Sequence, residues 1–321
     1  MRKAFHVIEP GLHTTIQDIG RYHYQQFGVA PSGAMDEDAL QMGNLLLGNK
    51  QSAAGLEITM VGPSLKAESD LMICITGADL NPTIDHEPVG TWCKMFMREG
   101  QTLRFGKPAE GARAYLTVAG GFSVKKVMGS SSTYTAGKFG GYEGRTLKSG
   151  DSLICNSSQF SYNKKRRIHS ARLSHSMIPT YKSHQLVRVI PGPQAHMFTE
   201  DAIHTFYSAS YKVSPNSNRM GYRLEGSSLA HIGEHEIVTD AVAKGSIQVP
   251  GNGQPIVLMA DRQTTGGYPK IANVISADLW KIAQLLPGHT VSFQKTSVGQ
   301  AHEALRIRAE QQRQIQLLHG K

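Results

Sequence analysis

The densest run of groups able to hold an anion is Asp261-Arg262-Gln263-Thr264-Thr265-Gly266-Gly267-Tyr268-Pro269-Lys270, which follows an apolar stretch at 255–260. Gln263, Thr264 and Thr265 offer hydrogen-bonding side chains, and Gly266 and Gly267 let backbone approach a ligand closely. Tyr268 closes the run, and Lys270 supplies a point charge or, when desolvated, a base. A plain polar loop is the competing reading. A second run, Ser217-Asn218-Arg219-Met220-Gly221-Tyr222-Arg223, sets two arginines four residues apart. On a strand, positions 219, 221 and 223 share a face, so Arg219 and Arg223 converge on one site or form a surface pair. The third run is Gln17-Asp18-Ile19-Gly20-Arg21, followed by Gly28-Val29-Ala30-Pro31-Ser32-Gly33-Ala34-Met35-Asp36. Its Gly and Pro residues fix a loop that presents Asp18, Arg21 and Ser32. The planar fork of Arg21 suits a carboxylate or phosphate, unless Asp18 and Arg21 simply pair with each other.

Other chemistries find less support. The stretch 129–150 contains Ser130-Ser131-Ser132-Thr133 and Gly137-Lys138-Phe139-Gly140-Gly141. Its amides can cradle phosphate, or the stretch can serve as a loop that contacts a partner. The Gly-x-x-x-x-Gly-Lys-Ser/Thr order is absent, so ATP binding by this chain alone is not legible. None of the 14 histidines belongs to a His-Glu-x-x-His motif. His231 and His235 have ligand spacing, but Gly233 weakens the helix that spacing needs, and no metal site is expected. No nucleophile elbow or Cys-x-x-Cys pair occurs.

The elements that must position these residues are mostly strands. A chain of 321 residues, 40% hydrophobic and 18% charged, with 33 glycines and 14 prolines, describes many short strands and few helices. Buried strands are predicted at 71–76, 113–119 and 255–260. One helix begins after Asp36, whose carboxylate caps it, and carries Ala39, Leu40, Leu46 and Leu47 to a stop at Gly48-Asn49. A second spans about 298–318, with Ala301, Leu305 and Ile315 set among Arg, Glu and Gln. An internal echo links Trp92, Gly100, Thr102 and Phe105 to Trp280, Gly288, Thr290 and Phe293, always 188 residues apart. It predicts two lobes of related fold, 1–156 and 184–297, a polar basic linker at 157–183 and a helical tail at 298–321. The clearest basic cluster, Lys164-Lys165-Arg166-Arg167, falls in that linker and reads as a solvated segment more than as a nucleic-acid site, while the net charge of +9 equally permits an acidic partner subunit or anionic substrates. Cys74, Cys93 and Cys155 form an odd, widely spaced set, which fits buried thiols in a cytoplasmic protein. No window is apolar enough for a membrane span.

These same stretches, with Ala119-Gly120-Gly121-Phe122, Gly192-Pro193-Gln194 and Gly245-Ser246-Ile247-Gln248-Val249-Pro250, resemble the biotin-dependent carboxyltransferase-like (allophanate hydrolase subunit 2) family over about 5–295. The resemblance implies a mainly β fold of two tandem cyclophilin-like β-barrel lobes with a few short helices. It implies a component of an ATP-dependent 5-oxoprolinase that opens 5-oxoproline to L-glutamate with a KipI-like (PxpB) subunit and a PxpA-like subunit. ATP would be used by the complex. Lys270, Arg219 and Arg21 would then hold anionic intermediates, with Asp18 and Asp261 orienting them. Ser32, Arg223, Gln263, Thr264, Thr265, Gly266, Gly267 and Tyr268 would contact substrate. Two other roles stay open: a carboxyltransferase module acting on urea or a related amide, and an antagonist that binds a KipI-like histidine-kinase inhibitor. The chain carries no Ala-Met-Lys-Met biotin-attachment signature, so carboxyl transfer would need separate subunits.

Overall fold

The computed structural model describes residues 1–156 and 172–319. The basic run at 164–167 and the first part of the predicted linker lie outside the described residues. Packing divides the chain into two compact units. The first comprises Met1–Arg21, Ser32–Tyr181 and Glu310–Lys321; the second comprises Tyr22–Pro31 and Lys182–Ala309.

In the first unit the strands lie in two antiparallel sheets. The six-stranded sheet runs Ser152–Cys155, Arg2–Glu9, Ser64–Ala67, Thr102–Arg104, Thr83–Ile84, Glu87–Pro88. The five-stranded sheet runs His13–Gln17, Gly55–Thr59, Glu110–Val118, Leu71–Asp79, Lys94–Met97. Phe5, Val7, Leu56, Ile58, Leu65, Ile73, Ile75, Leu103 and Leu116 fill one apolar core. The helix Glu37–Leu46 covers the five-stranded sheet, which is why Leu71–Asp79 is buried along almost its whole length. Asp36 caps that helix by accepting from the Ala39 amide at 3.1 Å. Thr76 Oγ1 then ties the helix to the sheet by donating to the Ala39 carbonyl at 2.6 Å.

The second unit is a closed seven-stranded barrel: His184–Pro191, Lys270–Val274, Ser246–Gln248, Ile256–Leu258, Gly221–Glu225, Ser210–Val213, Thr290–Lys295. A parallel pairing, His184 opposite Thr290 through Val189 opposite Lys295, closes the ring; the other pairings are antiparallel. Its interior holds Val187, Val189, Tyr211, Leu224, Ile247, Val257, Ala272 and Val291. Phe206, from the helix Glu200–Ser208, stacks on Phe293 at 4.7 Å. The chain ends in a helix, Val298–His319.

Mainly β architecture with helices in the minority is therefore the fold. The predicted barrel is a complete ring in the second unit, whereas the strands of the first unit divide between two sheets. The echo is visible locally. Gly100 and Gly288, at φ 88° and 90°, each turn the chain two residues before a strand that starts on Thr102 or Thr290. It fails at the tryptophans, since Trp92 sits in a left-handed loop position (φ 57°) and Trp280 lies in the helix Leu279–Ala283. No helix among the described residues is long and apolar enough to cross a membrane.

Candidate functional site

Lys270 opens a barrel strand, opposite Gln248 and beside a register shift between Ile247 and Gln248. Its side chain is 5% exposed, yet it carries an ammonium. Desolvating such a group costs several kcal/mol unless partners surround it. Lys270 Nζ donates to Asp240 Oδ2 at 2.5 Å and to the Ala241 carbonyl at 3.0 Å. The Lys270 amide donates to Gln194 Oε1 at 3.3 Å. Gly192 packs directly on the Lys270 carbonyl, in a space no Cβ can share. Gln248 Nε2 donates to the Tyr268 carbonyl at 3.2 Å, which fixes the turn before Lys270. The hydrogen bond from Lys270, then that from the Ala241 amide, holds the Asp240 carboxyl below the usual carboxylate range.

The polar run before Lys270 divides by exposure. Gln263, Thr265 and Tyr268 face solvent, Thr264 and Gly267 are half-buried, and Gly266 is buried. Thr265 and Gly266 pair with Asp240 and Ala241 in a two-stranded ribbon. Val242 donates to the Thr264 carbonyl at 3.1 Å, and Ile237 to the Gly267 carbonyl at 2.8 Å. Buried Arg262 secures the base of this ribbon, donating from Nε to the Val242 carbonyl and from Nη1 to the Met259 carbonyl.

Arg219 is held in two-pronged fashion by Asp261: Nε to Oδ2 at 2.8 Å and Nη2 to Oδ1 at 3.0 Å, both side chains buried. Asp261 thus orients Arg219 through a fork geometry that lysine cannot reproduce. Arg223 does not converge with it. Arg219 precedes the strand Gly221–Glu225, in a turn closed by Asn218, so strand alternation does not apply to it, and Arg223 points to solvent.

Asp18, Arg21 and Ser32 belong to the first unit. The Asp18 carboxylate is taken up by the Ser130 and Ser132 hydroxyls, at 2.7 and 2.5 Å, and by the Ser131 and Gly20 amides, at 2.6 and 2.8 Å. Arg21 donates from Nη2 to the Ser132 carbonyl and lies 4.9 Å from the centroid of the Phe139 ring. Asp18 therefore acts on Arg21 through the serine run that both grip. In the stretch whose amides could cradle phosphate or which could contact a partner, the Ser131 amide and the Ser130 and Ser132 hydroxyls are taken by that carboxylate. Ser32 adopts φ 55° and is 4% exposed, and its hydroxyl has no hydrogen-bond partner among the described residues. Gly33 follows at φ 89°; a Cβ there would come within 2.9 Å of the Gly20 nitrogen. The next turn is bolted to the five-stranded sheet. The Met35 amide donates to Glu57 Oε2 at 2.8 Å, Tyr115 donates to the same oxygen at 2.7 Å, and the Asp36 amide donates to Tyr115 Oη at 2.8 Å. Burial pushes the Tyr115 hydroxyl well up, which keeps it a donor.

Sequence reasoning missed Asp240, Glu57, Tyr115 and the site role of Gln194, because each acts through a partner distant in the chain. Among the described residues no three His, Cys, Asp or Glu side chains gather as a metal-ligand group.

The chain belongs to the carboxyltransferase domain family, subdomain A and B, whose model matches residues 27–295. It is 40% identical to a 5-oxoprolinase subunit of Escherichia coli over 97% of this chain and 96% of that one. It is 36% identical to the corresponding 5-oxoprolinase subunit of Haemophilus influenzae over 92% of each. Among solved structures, the urea amidolyase of K. lactis superposes with a TM-score of 0.90 at 31% identity over 97% of this chain, which spans 20% of that larger chain.

Proposed function

We propose that this chain is an obligatory component of an ATP-dependent 5-oxoprolinase, which opens 5-oxoproline to L-glutamate together with a PxpA-like and a KipI-like (PxpB) subunit. The observation that supports this reading best is the likeness to the Escherichia coli protein, which extends over 97% of this chain and 96% of its relative. The substrate chemistry fits the site. 5-Oxoproline carries a carboxylate, and its lactam oxygen gains negative charge as the ring opens. In this reading ATP, used by the whole complex, activates that carbonyl so that water can open an otherwise stable amide. Buried cations stabilise such charge far better than solvated ones, because the surroundings are already oriented toward it. Lys270 and Arg219 take that role in the second unit and Arg21 in the first, while the Thr264–Tyr268 segment contacts substrate. On this reading the complex is cytoplasmic, in keeping with the free thiols of Cys74, Cys93 and Cys155.

The test is ATP-dependent glutamate release from 5-oxoproline by this chain purified with its two partners, and with each omitted. Activity should vanish without this chain. Lys270→Met should lower turnover by at least about 10²-fold, the usual loss when one oriented charge-stabilising group is removed, while size-exclusion chromatography still shows the assembled complex. Survival of activity in that variant would overturn the assignment of Lys270. Full activity without the chain would favour the second reading, carboxyl transfer to urea or a related amide, which the urea amidolyase superposition supports.

A further inference from the structure

The segment 232–241 has an unusual composition of contacts. Each of its residues is exposed except Ile237, which is half-buried, and Val238 is 92% exposed. None of its apolar side chains is buried. It is held by backbone hydrogen bonds: Ile232 to the Met197 carbonyl, Ile237 to the Gly267 carbonyl, and the Asp240–Ala241 pairing with Thr265–Gly266. Segments with few buried apolar contacts open at the low end of a protein's local stabilities. A charged tie joins it to the barrel, the Asp240 carboxylate on Lys270. Lys270 is sealed from solvent, whereas the Asp240 side chain is 52% exposed. Lys270 Nζ and the Ala241 amide donate to the Asp240 carboxylate, at 2.5 and 2.7 Å.

We infer that Asp240 is an internal occupant of the Lys270 anion seat: a small-molecule carboxylate displaces it, and the strap 232–241 lifts as the ligand enters. This rests on the reading of Lys270 as an anion-binding group. The geometry favours exchange because both occupants are carboxylates. An incoming one restores to Lys270 the hydrogen bond that Asp240 gives up, so the buried ammonium is never left without a counterion. Asp240 itself passes into water, where half of its side chain already lies. The cost of displacement falls on the strap, which is held by a few backbone bonds and no buried apolar side chain. Asp240 is thus a specificity device. Neutral amides cannot compensate Lys270 and leave the strap closed, whereas carboxylates open it.

Hydrogen exchange on the full chain reads the strap directly. Asp240→Asn should raise exchange of the Ile237 and Val242 amides about tenfold without ligand. Saturating 5-oxoproline, or acetate as a generic carboxylate, should raise exchange of the same amides in the wild-type chain, opposite to the protection that binding ordinarily gives. In the assembled complex, Asp240→Asn should lower KM for 5-oxoproline at least about threefold, since a competing occupant reduces apparent affinity by the fraction of seats it fills. A KM that holds or rises overturns the proposal, and so does protection of the strap by both carboxylates. If the strap responds to acetate but the complex never turns over 5-oxoproline, the oxoprolinase reading fails and the displacement mechanism stands. If turnover is normal and neither carboxylate loosens the strap, the displacement mechanism fails alone.

Discussion

The two units solve the same electrostatic problem differently. In the first, Asp18 receives four donors from Gly20, Ser130, Ser131 and Ser132, and Arg21 is covered by Phe139 and tied to the Ser132 carbonyl. Every partner is itself buried or part of a tight loop. In the second, Lys270 is just as sequestered, but its carboxylate partner stands on an exposed strap. A buried charge must be compensated in either case. The difference lies in whether the compensation can leave. Locked partners make a scaffold of fixed shape and field, and a removable partner makes a seat. The second unit holds both arrangements, one fork with both partners buried and one buried ammonium whose carboxylate is half in water.

The largest expected effect follows from that contrast. Asp261→Ala leaves the Arg219 guanidinium buried without its carboxylate, and should cost about 3–5 kcal/mol. Asp240→Asn also takes the carboxylate from a buried cation, but Asn keeps a side-chain oxygen for Lys270 Nζ on a strap that stands in water, so it should cost less. Urea unfolding of the two variants, compared at equal slope, measures both. If the two losses come out equal, the distinction between locked and removable counterions collapses.

Much of this contrast is legible in sequence, and the illegible part has a physical pattern. Local signals work: Asp36 caps the helix that its position before Ala39 and Leu40 announces, and the apolar run at 71–76 is a strand buried on both faces. The polar run from Asp261 to Lys270 is also visible, because its density of hydrogen-bonding groups is a property of adjacent residues. What stays hidden depends on closure of sheets and on pairing across long separations. Asp240 lies 30 residues from Lys270 and Glu57 lies 58 from Tyr115, and neither sits in a run that stands out. The expected convergence of Arg219 and Arg223 fails because alternation holds only inside a strand, and Arg219 sits in the turn before it. The closed ring of one unit and the divided sheets of the other likewise follow from register, which composition does not carry.

A smaller effect tests a second locked carboxylate in the barrel unit. Burial alone would raise the Asp278 carboxyl, but hydrogen bonds from the Arg188 side chain and amide, with the nearby Lys281 charge, hold it below the usual carboxylate range. A carboxyl depressed in the folded state adds stability above its unfolded pKa, and that stability is lost as pH falls through the lower folded value. Stability measured by thermal unfolding should therefore fall as the pH drops below the usual carboxylate range. Arg188→Gln should reduce that acid-dependent loss while lowering stability at neutral pH. An unchanged acid limb in the variant would show that Arg188 does not set the Asp278 titration.

The smallest expected change in stability concerns the residue that fits neither category. Ser32 has a buried hydroxyl with no partner among the described residues and a left-handed backbone, in a loop held by Gly33 against Gly20 and by Glu57 beyond. An unsatisfied buried hydroxyl costs about 1 kcal/mol or more, and such strain persists where the surroundings over-determine it, commonly at functional sites. Ser32→Ala keeps the backbone requirement and removes only the hydroxyl. Stability should hold or rise by up to about 1 kcal/mol, while 5-oxoproline turnover by the assembled complex should fall at least about tenfold if the hydroxyl is satisfied by substrate. A variant that is less stable would mean the hydroxyl has a structural partner. A variant equally stable and fully active would remove Ser32 from the site.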